Sequence, residues 1–176
     1  QVVNDDELME LIKNDDEAAF RILYARWGRR IMSYASRALQ DRVEAEDVVQ
    51  ETFMALYRFR KRYEEKGRLP SFLFRIAGNA VRSRFRSRNP IPVEDLEDFQ
   101  PDPIYENTAD VKIDIEKALG QLPFQQREAL LLAVMGDMTY KEIGALTGSS
   151  ESAVAQRICR ARRKLYEIMV PKREGE

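Results

Sequence analysis

Glutamine and arginine crowd onto one side of a stretch near the C-terminus, and both residue types can read the edges of bases. At 100° per residue, Ser152, Gln156, Cys159, Arg160 and Arg163 share one helical face, with Arg157 and Arg162 at its edges. Val154, Ile158, Ala161 and Leu165 form a narrow apolar stripe on the opposite side. Gln and Arg make bidentate hydrogen bonds to adenine and guanine edges in the major groove, while the flanking arginines and Lys164 can grip phosphates. Residues 152–165 hold five basic side chains and no acid. A solvated basic helix is the plain alternative, and the local frame decides against it. Thr139 and Glu142 form a capping box ahead of a short helix, Gly148 can take the left-handed conformation that stops it, and Ser150 can cap the next helix. Helix, tight turn, helix with a basic outer face favours DNA binding.

A second basic stripe lies upstream. Arg75, Asn79, Arg82 and Arg86 recur at i, i+4, i+7 and i+11, with Phe72, Phe74 and Phe85 on the same helix. Cations beside aromatic rings can hold single-stranded nucleic acid, whose bases offer π-faces. Aromatics at helical spacing are more often core, so this stripe alone is ambiguous, and the second basic face raises its odds.

A third feature is acidic. Asp41 with Glu44 predicts a capped helix whose buried line is Val49, Phe53 and Leu56, leaving Asp47, Gln50, Glu51 and Met54 outward. Clustered carboxylates can hold Mg²⁺, but no Gly-rich phosphate loop accompanies them, and a protein partner fits better.

The composition excludes much else. With no histidine and one cysteine, Cys159, an internal disulfide, a Cys/His zinc site and every histidine relay are ruled out. No catalytic centre, cofactor or metal is expected. No apolar run approaches the roughly 18 residues of a spanning helix, and the acidic start lacks a signal peptide's character, so a cytoplasmic protein without membrane insertion is expected. Net charge is −1, yet the charge is segregated: residues 58–89 hold eleven basic and two acidic side chains, residues 90–118 two basic and nine acidic.

Positioning these faces requires helices. Periodicity is helical nearly everywhere, and the expectation is an all-α chain of two small helical domains joined by a flexible acidic linker. Phe20, Tyr24, Trp27 and Ile31 predict an aromatic core stripe. Pro70 and Ser71 open a helix running to about Arg88. Prolines at 90, 92, 101 and 103 mark the linker, and Val111, Ile115, Ala118 and Leu122 then restore helical spacing. A helix from Gln125 to Met135 follows. The expected domains are 1–89 and 111–176, with 90–110 as linker.

Five segments together carry a resemblance: E-A-E-D-V-V-Q-E-T-F (44–53), S-F-L-F-R-I-A-G-N (71–79), L-P-F-Q-Q-R-E-A-L-L-L (122–132), K-E-I-G-A-L-T-G-S-S (141–150) and V-A-Q-R-I-C-R-A-R-R-K-L (154–165). In this order they resemble a bacterial extracytoplasmic-function (ECF) sigma factor of the sigma-70 family, the minimal type with domains two and four. The resemblance implies an initiation subunit that binds core RNA polymerase, directs it to promoters and helps open the duplex. By position, Asp47, Gln50, Glu51 and Phe53 match the segment that docks on the clamp helices of the polymerase's largest subunit. Phe72, Arg75 and Asn79 match the segment that recognises and melts the minus-ten element, and Arg82 and Arg86 extend that stripe. Gln156, Arg157, Cys159 and Arg160 match the minus-thirty-five reading positions, to which Ser152 and Arg163 add from the outer face. The acidic linker matches a segment that threads polymerase channels. The resemblance also implies control by an anti-sigma factor. Phe72, Ala155 and Cys159 depart from the residues common at these positions, which bears on the promoter sequence.

Two other classes fit parts of the pattern. An autonomous helix-turn-helix repressor or activator would bind duplex DNA tightly without polymerase. A carboxylate-dependent nuclease using Asp41, Glu44 and Asp47 would cleave in Mg²⁺.

Overall fold

The computed structural model describes residues 2–64, 66–89 and 115–170. Among these residues every regular element is helical: α1 (Asp5–Lys13), α2 (Glu17–Leu39), α3 (Arg42–Phe59), α4 (Leu69–Arg88), α5 (Ile115–Gly120), α6 (Phe124–Met135), α7 (Tyr140–Thr147) and α8 (Glu151–Met169). The expected linker, 90–110, and Val111 lie outside the described residues.

The N-terminal bundle, α1 to α4, assembles around α2. The acidic start reads as charge in the sequence, yet it folds into a helix that periodicity did not single out. Asn4 and Glu7 cap it reciprocally, and Leu8, Met9 and Ile12 are buried. Its carboxylates have structural partners. Asp5 accepts from the Arg26 guanidinium at 2.5 Å and the Trp27 indole N–H at 3.1 Å, and Asp6 accepts from the backbone N–H of Gly67 at 2.8 Å. One turn of α1 is thereby pinned both to α2 and to the segment that precedes α4.

In α2 the expected aromatic stripe needs one correction. Trp27 and Ile31 are buried and Phe20 packs partly against the core, but Tyr24 is 43% exposed. Leu23 stands in the buried line in its place, with Trp27, Ile31 and Tyr34, on a helix that packs against α1 as well as α3. In α3, Val49, Phe53 and Leu56 are buried as expected. Asp41 accepts from the Glu44 N–H at 3.0 Å, while the Glu44 carboxylate pairs with Arg88 of α4. Arg88 also reaches Asp41, so one guanidinium ties the start of α3 to the end of α4.

The C-terminal bundle, α5 to α8, follows the sequence closely. Thr139 and Glu142 make the reciprocal capping box, Gly148 adopts φ +68°, and the Ser150 hydroxyl accepts from the Ala153 N–H at 3.1 Å. The left-handed φ at Gly148 suits glycine because a Cβ there would be strained. α6 begins one residue earlier than the periodicity implied, at Phe124.

The two bundles pack together. Apolar side chains of both join one contiguous core. α6 lies against α2, and α7 touches α4.

Removing the Thr139 hydroxyl leaves an N-terminal amide of α7 without its acceptor. Thr139→Ala is expected to cost about 1 kcal/mol, within the usual range for such caps. A urea titration followed by far-UV circular dichroism should show a lower midpoint with an unchanged slope.

Candidate nucleic-acid and protein-binding faces

The α8 face comes from a simple division of the helix. Val154, Ile158 and Ala161 are buried against the bundle, as their spacing requires. Ser152, Gln156, Cys159, Arg160 and Arg163 are all exposed, so the sequence-predicted reading residues share one accessible surface. Arg157 differs from them: it is half-buried, and its guanidinium donates to the Ser149 hydroxyl at 2.6 Å. That bond ties the helix to the turn preceding it and aims the outer face.

On α4 the predicted stripe is divided. Phe72 is half-buried and meets Tyr63 edge to face, with centroids 5.1 Å apart. The Arg75 guanidinium stands 5.5 Å from the Phe72 ring centroid, within cation–π range. Asn79 and Arg86 are exposed. Arg82 is buried, 8% exposed, and donates to the Glu128 carboxylate of α6 at 2.8 Å. The stripe therefore has an open side and a side covered by the C-terminal bundle.

Around this pair the interior is charged. Glu128 is fully buried; desolvation pushes its carboxyl above the usual range, and Arg82 first, then Arg157 and Arg86, pull it back. Its neighbour Arg127 is lowered to about 10 by burial, opposed by Glu128, and still carries its charge near neutrality. The Arg127 guanidinium donates to the Ala38 carbonyl of α2 at 3.0 Å and to the Leu122 and Leu119 carbonyls at 3.1 and 3.4 Å. Tyr34 lies close by, its hydroxyl raised well above normal by burial and then by Glu128. Phe85 and Phe124 complete the contact as stacked rings 3.7 Å apart and 5° from parallel.

The acidic face of α3 exposes Asp47, Gln50 and Glu51. Glu51 also pairs with Arg84 of α4 at 2.9 Å, with Glu51 remaining half exposed. Phe53 is 2% exposed and packs on Phe20 and Tyr24, so it supports this face from within. Beside it runs a groove of about 590 Å³ between α2 and α3, lined by Phe20, Tyr24, Gln50, Met54 and Tyr57. The sequence reading missed this groove, although Met54 and Tyr57 fall outside the α3 core line and could have signalled it. The Mg²⁺ alternative finds no support here. Asp41 and Glu44 both pair with Arg88, and among the described residues no three potential ligands converge on a metal site. Among those residues, too, no helix is long and apolar enough to cross a membrane.

Comparison with known proteins matches this division into two bundles. The Sigma-70 region 2 family model matches residues 23–91, and the Sigma-70, region 4 model matches residues 112–165. The chain is 31% identical over 165 residues to RNA polymerase sigma factor CarQ of Myxococcus xanthus, covering 92% of this chain and 95% of that protein. It is 28% identical over 168 residues to ECF RNA polymerase sigma factor SigM of Mycobacterium tuberculosis, covering 94% and 85%. Among solved structures, it is similar to the sigma factor RpoE in complex with the anti-sigma factor NepR from Bartonella quintana. That likeness has a TM-score of 0.65 and 26% identity, and covers 88% of this chain and 98% of that one. The chain belongs to the sigma-70 family and, within it, to the ECF sigma factors, non-enzymatic DNA-binding proteins of transcription initiation.

Proposed function

We propose that three faces of this sigma factor divide initiation among them. Residues 1–89 form the unit that docks on core RNA polymerase and opens the minus-ten element. Residues 111–176 form the unit that reads the minus-thirty-five element. The acidic segment 90–110 joins them.

The observation that carries this reading is the exposed row Ser152, Gln156, Cys159, Arg160 and Arg163 on a helix held in place by Val154, Ile158 and Ala161. It offers a duplex hydrogen-bond donors and acceptors on a rigid element, the requirement for direct readout. Arg157, tied to Ser149, serves as a phosphate or positioning contact at the edge of that row. On α4, Phe72, Arg75, Asn79 and Arg86 offer aromatic and cationic surface to unpaired bases, and Arg82 joins them once its carboxylate partner is displaced. Unstacking a base costs a few kcal/mol, so contacts available only to open DNA favour opening.

Docking on the clamp helices of the polymerase's largest subunit falls to Asp47, Gln50 and Glu51, with Phe53 holding α3 in register behind them. The α2/α3 groove beside Gln50 supplies apolar area next to the acidic row. Control by an anti-sigma factor is consistent with the partner bound in the similar RpoE structure. Action on polymerase and promoter places the protein in the cytoplasm.

Asp47→Ala and Glu51→Ala remove exposed carboxylates, so each should change stability by no more than about 0.5 kcal/mol. Both should nevertheless weaken association with core polymerase in a pull-down or fluorescence titration. Unchanged affinity in both variants would remove these residues from the docking face.

Arg160→Ala should lower affinity for a selected minus-thirty-five duplex by about 1 to 3 kcal/mol and relax specificity at one base position. Binding selections with randomised duplexes measure this. An equal loss on all sequences would make Arg160 a phosphate contact.

A further inference from the structure

Carboxylates on and just beyond α1 face the connection between α3 and α4. Asp6 accepts from the Gly67 N–H with both oxygens, at 2.8 and 3.1 Å. One turn further along, the Glu10 carboxyl is held below its usual range by Lys13 and, more weakly, by Lys66. In the turn after α1, Asp15 accepts from the Arg60 guanidinium at 2.6 and 2.9 Å and from the Lys61 ammonium at 3.3 Å. One short helix therefore grips the connection near both of its ends.

α1 has other means of staying in place. Leu8, Met9 and Ile12 are buried, and Asp5 is tied to Arg26 and Trp27 of α2. The Asp6 bond matters more to its partner. Gly67 stands at φ +73°, and α4 opens two residues later with no side-chain cap and no acid in its first turn. Asp6 fixes the backbone at the entry to a helix whose own sequence supplies no such anchor, and a negative charge suits that end of a helix. Tyr63, within the same connection, is buried against Phe72, the ring over which the Arg75 guanidinium stands. The backbone that Asp6 holds thus sets where the Tyr63 ring meets the aromatic and cationic surface of α4.

From this geometry we infer that Asp6 is a positioning residue for base selection: its bond to the Gly67 amide holds the α3–α4 connection, and through Tyr63 the Phe72–Arg75 pair, in the arrangement that prefers particular unpaired bases. The inference rests on the reading of α4 as the single-strand face. Stacking on an aromatic ring tolerates any sequence, since every base has a π-face. Preference requires ring and cation to be fixed relative to the hydrogen-bonding edge of the base, so a residue that fixes them governs selectivity more than affinity.

The test uses the full chain at saturating concentration on core RNA polymerase, with a pool of short random-sequence DNA single strands sequenced before and after capture. Core polymerase alone supplies the background. The wild type should enrich particular bases above it. Asp6→Ala should lower that enrichment about tenfold, the scale of one charge-assisted hydrogen bond, while total capture stays within about twofold. Asp6→Asn keeps an oxygen acceptor and should keep the wild-type preference. Asp5→Ala cuts the tie from the same helix to α2, so it should lower the thermal unfolding midpoint, as Asp6→Ala does, and leave the preference intact.

Equal loss of preference in Asp5→Ala and Asp6→Ala would reduce Asp6 to a structural role and overturn the inference. So would an Asp6→Ala protein that selects like the wild type, a uniform loss on all sequences, or an Asp6→Asn protein that selects like Asp6→Ala. Phe72→Ala separates the inference from the reading beneath it. If removing that ring leaves the selection unchanged, the single-strand reading of α4 fails and the inference with it. If selection needs the ring but not Asp6, the inference alone fails.

Discussion

One turn of α6 carries two opposite charges, Arg127 and Glu128, into the interior, and the placement of the helices follows from satisfying them. An ion moved out of water costs several kcal/mol even after relaxation, so each must find partners where it is buried. Arg127 takes carbonyls from the end of α2 and from the segment around α5, and Glu128 takes the guanidinium of Arg82 on α4. Three helices from both halves of the chain, α2, α4 and α5, converge on these two adjacent residues of α6. Apolar contacts such as the Phe85–Phe124 stack fill the space between them, but they are less directional and would tolerate other registers.

The same economy appears at the surface. Carboxylates of the acidic N-terminal segment anchor the bundle through Arg26, Trp27 and the backbone of Gly67. Further along, Asp47 leaves its helix toward solvent, while the half-exposed Glu51 pairs with Arg84 of α4. An acidic block therefore has two physical fates in one bundle, decided by whether a cation or an N–H is within reach. Basic residues divide likewise, with Arg88 and Arg127 spent on structure while Arg86, Arg160 and Arg163 remain exposed.

Local features were legible in the sequence because their causes are local. The Thr139–Glu142 box, the Gly148 turn, the Ser150 cap and the inner stripe of α8 each depend on residues within a few positions, and each is present where the spacing put it. The outward set on α8 follows from that stripe, so the whole exposed reading row could be named without coordinates. Arg82 is the contrasting case. Helical spacing placed it in a basic row, but its partner lies 46 residues away, beyond the linker, and periodicity carries no information about such a pairing. Tyr24 was misplaced for a related reason: the direction of the α2 core line depends on α1, a helix hidden by its acidic composition. The α2/α3 groove went unread because it forms only when two separate apolar margins meet.

The central claim is that this chain confers promoter selection on RNA polymerase. Run-off transcription tests it most directly, using purified core polymerase and a library of promoter fragments, with and without the protein. The account predicts transcripts from a specific subset of fragments that appear only when the protein is present. Core polymerase whose transcription is unchanged by the protein on every fragment, together with tight binding of the protein alone to duplex DNA, would contradict it.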